Sequence, residues 1–333
     1  PQFLSAFQKF ELQDIEPRTQ ITYYPYVSAS NDSIRDETEL RAGAEVFWRP
    51  SSNTQISASL NPDFGNVESD DVVVNLTAFE TFFAEKRSFF LEGQDVFNTS
   101  PRSQGGRGPG GPTTMLNTRR IGGAGLYTLP TGVTAVATDL SQPTDLLGAV
   151  KLTGQNGSWR YGTLFAAEDD SEIRGKDATG NRVKLQAEGR DFSVARLLYE
   201  DTSRGGRRAI GWMGTNVSHS SVDATVNGID VHYFSADTKW VADGQYLHSD
   251  VDGVTGNGVF GDALFFNRNY TFLDNSSLRT GLRYFPPRID DSLGRGSGEF
   301  RIPERYAMNL NWSTDPGQPF SYSLGIGADQ EDL

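Results

Sequence analysis

Residues 39–49, Glu39-Leu40-Arg41-Ala42-Gly43-Ala44-Glu45-Val46-Phe47-Trp48-Arg49, alternate without a break. Leu40, Ala42, Ala44, Val46 and Trp48 make one face, and Glu39, Arg41, Gly43, Glu45, Phe47 and Arg49 make the other. Period two over such a length marks a β-strand with one apolar and one polar side. Pro50, Ser51, Ser52 and Asn53 then read as a turn. Ile56, Ala58 and Leu60 resume against Gln55, Ser57, Ser59 and Asn61, so the unit is a hairpin. Charge on the second face means that this face is wet or paired.

The pattern recurs along the chain. Leu146, Val150 and Leu152 oppose Lys151 and Thr153, a turn falls at Gln155, Asn156 and Gly157, and Trp159, Tyr161 and Phe165 share a face of the next strand, which ends at Glu168. Alternation is cleanest at 305–313 and 320–328. Less regular hairpins pair 191–199 with 208–218, 227–240 with 244–249, and 262–272 with 277–285. Tight turns at Asn53, Gly157, Gly205-Gly206, Asp243-Gly244, Asn275 and Pro316-Gly317 alternate with long polar connections over 62–114, 169–190, 251–261 and 286–304. No amphipathic helix alternates with the strands, which argues against a parallel βαβ sheet.

Composition narrows the class. The 333 residues carry 30 basic and 43 acidic side chains for a net charge of −13, which excludes a protein that clamps nucleic acid through phosphate contacts. Without cysteine there are no disulfides, thiolate metal sites or cysteine nucleophiles. No apolar run is long enough for a transmembrane helix, yet strands that alternate lipid-facing and lumen-facing residues cross a bilayer at near-neutral hydropathy. A soluble β-sandwich also has alternating strands. Three features favour an antiparallel transmembrane β-barrel of outer-membrane type: strands near the spanning length, Trp48, Trp159, Tyr284 and Trp312 at strand ends, and inward Arg and Glu. The expectation is one barrel domain over 1–333, with roughly 14 strands, membrane lipid and lipopolysaccharide around it, and no nucleic acid partner. The opening at Pro1 and the polar close over Asp329, Gln330, Glu331, Asp332 and Leu333 read as a partial chain with strands still to follow.

The segment 61–114 interrupts the strands. Its density of Phe and charge, from Asn61-Pro62-Asp63-Phe64 to Phe89-Phe90-Leu91-Glu92-Gly93, is too high for a floppy loop. A helix is expected from about Leu76 to Lys86, capped by Asn75 and closed by Gly93. Its Phe side chains need an apolar partner and its carboxylates need cations, so it reads as a plug seated in the lumen. Asp63, Glu68, Asp70, Asn75, Glu80, Glu85, Lys86, Arg87 and Glu92 are its candidate contacts to ligand or wall. Arg41, Glu45, Arg49, Lys151, Arg160, Arg279 and Arg283 are the candidate pore wall. Two of the carboxylates could form a glycosidase pair, but seating a charged insertion against wall cations accounts for them more simply, and no catalytic residue is assigned.

The motifs Asn61-Pro-Asp-Phe64, Val67-Glu-Ser-Asp70, the long run Asn75 to Gly93, Asn117-Thr-Arg-Arg-Ile-Gly-Gly123 and Gly148-Ala-Val-Lys-Leu-Thr-Gly154 occur in that order. The sequence resembles the uncharacterised Gram-negative outer-membrane β-barrel family found C-terminal to a family-9-type carbohydrate-binding module. The likeness is strong from Ala44 to about Thr215 and thinner through Arg283, Tyr284 and 289–294. It departs at Ala84 and Ser88, where many relatives carry Pro. The resemblance implies an outer-membrane location, an N-terminal sugar-binding domain outside this chain, further C-terminal strands and a polysaccharide ligand. It brings no known reaction.

Other clusters are weaker. Asp250, Asp252 and Asp262, spaced by Gly253, Gly256, Gly258 and Gly261, resemble a Ca²⁺ loop but lack the final bidentate Glu of an EF-hand, so a solvated loop is favoured. Glu168, Asp169, Asp170 and Glu172 read as loop charge, open to bridging by divalent cations to lipopolysaccharide. His219, His232 and His248 are scattered, without the spacing of a serine hydrolase or zinc protease. Gly105 to Gly111 lacks a phosphate-cradling ending. The function expected is a plugged polar pore for glycan-related cargo, with a sealed membrane anchor or an outer-membrane glycan hydrolase as alternatives.

Overall fold

The computed structural model describes residues 18–32, 37–63, 83–99, 114–127, 129–252, 259–290 and 300–331. In chain order the strands are β1 (Gln20–Asp32), β2 (Glu37–Ser51), β3 (Thr54–Leu60), β4 (Thr134–Ala135), β5 (Leu146–Asn156), β6 (Trp159–Glu168), β7 (Ser171–Lys176), β8 (Arg182–Ala187) and β9 (Asp191–Asp201). There follow β10 (Arg207–Ser218), β11 (Asp223–Phe234), β12 (Trp240–Asp252), β13 (Val259–Thr271), β14 (Ser277–Phe285), β15 (Arg288–Asp290), β16 (Phe300–Ile302), β17 (Arg305–Ser313) and β18 (Ser323–Glu331). Two single-turn helices, α1 (Ser88–Leu91) and α2 (Ala137–Leu140), lie between β3 and β5.

One sheet of thirteen strands runs in the order β1-β2-β3-β5-β6-β9-β10-β11-β12-β13-β14-β17-β18. Every neighbouring pair in it is antiparallel. β4-β7-β8 and β15-β16 form two small separate sheets. The large sheet is open: in it β1 pairs with β2 alone and β18 with β17 alone. The closed barrel of the sequence reading is therefore not what this sheet forms by itself. Strand direction does not favour direct closure. Thirteen strands of alternating direction leave β1 and β18 running the same way, so joining them directly would make a parallel ladder, with a hydrogen-bond pattern unlike that of every other pair.

Register makes the two faces uniform across the sheet. Leu40, Ala42, Ala44, Val46 and Trp48 of β2 stand opposite Ala29, Val27, Pro25, Tyr23 and Ile21 of β1. Farther along, Tyr199, Ile210, Val231, Gly244, Phe266, Leu282 and Met308 form one cross-strand row from β9 to β17. This outer face is apolar and uncovered: Leu40 is 75% exposed, Ile210 54%, Met308 54% and Ile326 72%. Aromatic side chains stand at its margins. Trp159 meets Tyr199 at 5.1 Å and Trp240 meets Tyr270 at 4.5 Å near the short turns, and Tyr284 stacks on Tyr306 at 4.6 Å toward the other end.

The core lies on the opposite, inner face. Phe89, Phe90, Val96, Phe97 and Ile121 from the connection between β3 and β5 pack on Ala149, Leu164, Ala166, Phe192, Val194 and Met213 of the sheet. Three sequence expectations change here. Phe83 to Lys86 are not helical, and the helical turn begins only at Ser88, while 64–82, with the expected cap Asn75, lie outside the described residues. Asp243-Gly244 is not a turn but the middle of β12; the turn falls at Ser235 to Lys239, where the Ser235 hydroxyl accepts from Trp240 N at 2.9 Å. Asp329, Gln330 and Glu331 belong to β18 and not to a tail.

Candidate functional site

The chain leaves β3 through Asn61, which takes a left-handed conformation (φ 46°) while its side-chain amide donates to Ala42 O at 2.9 Å. When it reappears at Phe83 it lies on the inner face, and buried charges fix it there. Glu85 Oε1 accepts from the backbone N of Lys86 at 3.0 Å and of Arg87 at 2.9 Å, and Oε2 accepts from Arg87 Nη2 at 2.8 Å. Arg87 then donates Nη1 to Ile121 O at 2.6 Å and Nη2 to Thr118 O at 2.5 Å, with its guanidinium 4.2 Å over the Phe90 ring.

A second pair grips the same turn from the sheet side. Arg190 binds Glu168 through Nε at 2.7 Å and Nη2 at 2.8 Å, and donates to Arg120 O at 3.2 Å and Gly123 O at 3.4 Å. Glu168 Oε1 accepts from Gly122 N at 2.8 Å. The Asn117 to Gly123 motif thus serves as a row of backbone acceptors held between two buried Glu-Arg pairs. Such pairs hold position more than they add stability. Glu168 was read above as loop charge; it is only 5% exposed, because β6 turns 160, 162, 164, 166 and 168 to the inner face.

Glu85 carries a pH consequence. Burial pushes its pKa up, but hydrogen bonds and charge from Arg87, with a bond from Thr118, outweigh it and hold the carboxyl below the usual carboxylate range. A depressed folded pKa stabilises the fold above the unfolded value, and that contribution disappears as pH falls through the folded one. Proteolytic release of 83–99 is expected to accelerate only at acid pH, below about 4. Glu85→Gln should remove that acid step from a pH series of digests.

Of the expected wall residues, four meet the insertion. Lys151, 3% exposed, donates Nζ to the carbonyls of Phe89 and Glu92. Arg49 pairs with Glu92 and Arg160 with Asp95. Glu45 reaches the Ser88 hydroxyl at 3.5 Å. Arg41 instead pairs with Asp145, ahead of β5. Arg279 and Arg283 occupy inner positions on β14, away from these contacts. Asp63 and Lys86 are half-buried at the ends of the described stretches, and Glu68, Asp70, Asn75 and Glu80 lie outside the described residues. The glycosidase pair built on Glu80 is therefore not placed, and Glu85 is fully engaged as an acceptor.

Close approach at one sheet position fits the insertion. A Cβ at Gly162 would lie 2.9 Å from Phe97 Cζ and 3.0 Å from Val96 Cγ1. Gly162→Val is expected to cost about 1–3 kcal/mol through overpacking, measured by chemical unfolding, and to speed proteolysis within 83–99.

Sequence reasoning missed a second inner cluster. Arg196 on β9 reaches Asp230 on β11 through Nη1 to Oδ1 at 2.5 Å and Nη2 to Oδ2 at 2.8 Å, both side chains being at most 1% exposed. His232 bridges Asp230 at 2.8 Å and Asp243 at 2.6 Å, and Gln245 donates to Thr99 Oγ1 at 2.8 Å. The other histidines stand apart. His219 Nδ1 meets Ser221 Oγ at 2.8 Å while its Nε2 has no hydrogen-bond partner among the described residues; His248 Nδ1 meets Asp262 at 2.9 Å on the outer face. Asp262 also accepts from Tyr246 at 2.6 Å, and 253–258 lie outside the described residues. Among the described residues no group of three His, Asp or Glu is placed to hold a metal ion.

No curated protein matches the chain. A family model described as a domain of unknown function, DUF5916, matches residues 17–269, from just ahead of β1 into β13, and the chain belongs to that family.

Proposed function

We propose that the chain is the wall and plug of a β-barrel in the outer membrane of a Gram-negative bacterium, a polar pore obstructed by the 61–114 insertion. One observation carries the reading: an apolar face continuous over thirteen strands is uncovered, while the charged face buries the insertion. In water such a patch far exceeds the few hundred Å² that monomers leave exposed. In a bilayer it is the lipid-facing band, and Trp159, Tyr199, Trp240, Tyr270, Tyr284 and Tyr306 take the interfacial girdle positions. Strand direction bears on how such a wall would close. With β1 and β18 running the same way, an odd number of strands from outside the described sheet completes an all-antiparallel cylinder with the even count of bacterial barrels.

Glycan-related cargo is the substrate class that the family resemblance suggests, and no side chain is assigned to bond-making. A sealed anchor is the second reading, favoured by the two Glu-Arg clamps and by Lys151 binding insertion carbonyls. The protein is expected to need detergent, to migrate faster on gels unheated than boiled, and to conduct ions in planar bilayers, with conductance rising when 61–93 is deleted. Background conductance after the deletion supports the anchor. A monodisperse protein in plain buffer refutes the membrane reading altogether.

A further inference from the structure

The outer face is not apolar to its margin. Two residues from the row of Ile210, Val231, Gly244 and Phe266, toward the short turns, Arg208, Tyr233, Ala242, Arg268 and Thr280 stand in register from β10 to β14. Trp240 and Tyr270 follow on the same face, two residues farther along β12 and β13. Two arginines therefore stand on the outer face at the level of the aromatic rings, where a bilayer has its headgroups.

Arg268 is half-buried and short of partners. Its guanidinium lies 5.3 Å over the Trp240 ring, and Nη2 makes one long hydrogen bond, to Thr280 Oγ1 at 3.4 Å. Nε is buried with no hydrogen-bond partner among the described residues, and no described carboxylate pairs with the group. A guanidinium cannot shed its charge and carries five donors, so most of its capacity is unused. The carboxylates of the adjoining turns are taken up locally. Asp237 accepts from Ser235 Oγ at 2.5 Å and Lys239 N at 3.2 Å, and Asp274 accepts from Ser276 N at 3.0 Å and Oγ at 2.6 Å. Arg208 is the lesser case: it lies 5.8 Å over Tyr233, but Asp201 stands opposite it on β9.

We propose that Arg268, held by Trp240 and Thr280, docks the phosphate of an anionic phospholipid in the leaflet on the short-turn side. This rests on the lipid-facing reading, since only a bilayer against the outer face brings headgroups to this row. An arginine on a lipid-facing strand costs little at the interface, where water or an anion reaches it, and much at the midplane. A phosphate diester accepts two parallel N–H bonds from the planar fork, which the Trp240 ring keeps in place. Ala242, between Tyr233 and Arg268 in the row, leaves a low point beside the guanidinium for the glycerol unit. A lipid of net negative charge is selected over a zwitterionic one, because the ammonium of the latter offsets its own phosphate.

The test is native mass spectrometry of the full chain in detergent micelles, with dioleoyl phosphatidylglycerol or dioleoyl phosphatidylcholine added at equal concentration. Heat-modifiable gel migration is checked for each variant. Phosphatidylglycerol adducts should exceed phosphatidylcholine adducts about fivefold, the preference that one arginine near an anionic surface supplies. Arg268→Gln should lower that ratio about threefold, Arg268→Lys should keep most of it, and Arg208→Gln should change it by less than about twofold. An excess of inorganic phosphate should displace nothing, since it lacks the chains. Equal adducts of the two lipids on a protein with heat-modifiable migration overturn the site and leave the lipid-facing band intact. So does a preference that survives Arg268→Gln, that falls equally with Arg268→Lys or Arg208→Gln, or that inorganic phosphate abolishes. Absence of heat-modifiable migration in the unaltered chain overturns the band itself.

Discussion

On the lipid-facing reading proposed above, Val231→Arg is expected to lower the stability of the protein folded into lipid bilayers by about 2 kcal/mol. Val231 lies in the outer row between Ile210 and Gly244, two positions from the aromatic margin at Tyr233, and is 45% exposed. In a soluble protein that exposure would make an arginine nearly neutral, since surface substitutions usually fall within about 0.5 kcal/mol. In hydrocarbon the guanidinium must lose its water or drag it along, and the row offers it no carboxylate. The measurement is reversible folding into vesicles against denaturant. A control at Thr225→Arg, in the polar part of the same outer face near Asp250, should cost less than about 1 kcal/mol, because the penalty falls toward the interface. Equal costs at both sites would mean that no depth gradient exists and that the apolar face is not a lipid-facing band.

Most of the large sheet is legible in the sequence because strand periodicity is local. Trp159–Glu168 and Arg305–Ser313 can be read to the residue, since each lies between clear turn residues and repeats apolar side chains at every second position, and the less regular Ser277–Phe285 is bounded the same way. β1 is invisible for the opposite reason. Tyr23, Tyr24 and Tyr26 put aromatic rings on both faces and Pro25 sits among them, a residue that reads as a break and is tolerated because β1 is an edge strand. Asp243-Gly244 misleads by composition: the pair is a turn signal, but here the Asp is an inner-face partner for His232. The clamps on the Asn117 to Gly123 turn leave no sequence signal at all. Their acceptors are backbone carbonyls, which every residue carries, and only the buried position of Glu168, recoverable from the parity of β6, hints at them.

The Arg196–Asp230 pair is equally hidden in the sequence, and its removal gives the second large effect. The partners sit on strands that are not neighbours, and Arg196 crosses β10 at Gly211, where a Cβ would fall 2.7 Å from Nη2. Asp230→Ala leaves a guanidinium with 0% side-chain exposure without its carboxylate. Breaking one side of such a pair costs about 3–5 kcal/mol, whereas replacing both with apolar groups of similar volume is often neutral or better. Asp230→Ala is therefore expected to lower the unfolding free energy by that amount, and Arg196→Met with Asp230→Leu to recover most of it. Gly211→Ala should fall between them, because it displaces the guanidinium without deleting either charge. His232 sharpens the interpretation, since it bonds both Asp230 and Asp243 and can keep Asp243 when Asp230 is gone. A loss under about 1 kcal/mol for Asp230→Ala would mean that water reaches Arg196. The inner face beneath the insertion would then be wet, and the insertion would be a loose cover on the sheet and not a tightly packed one.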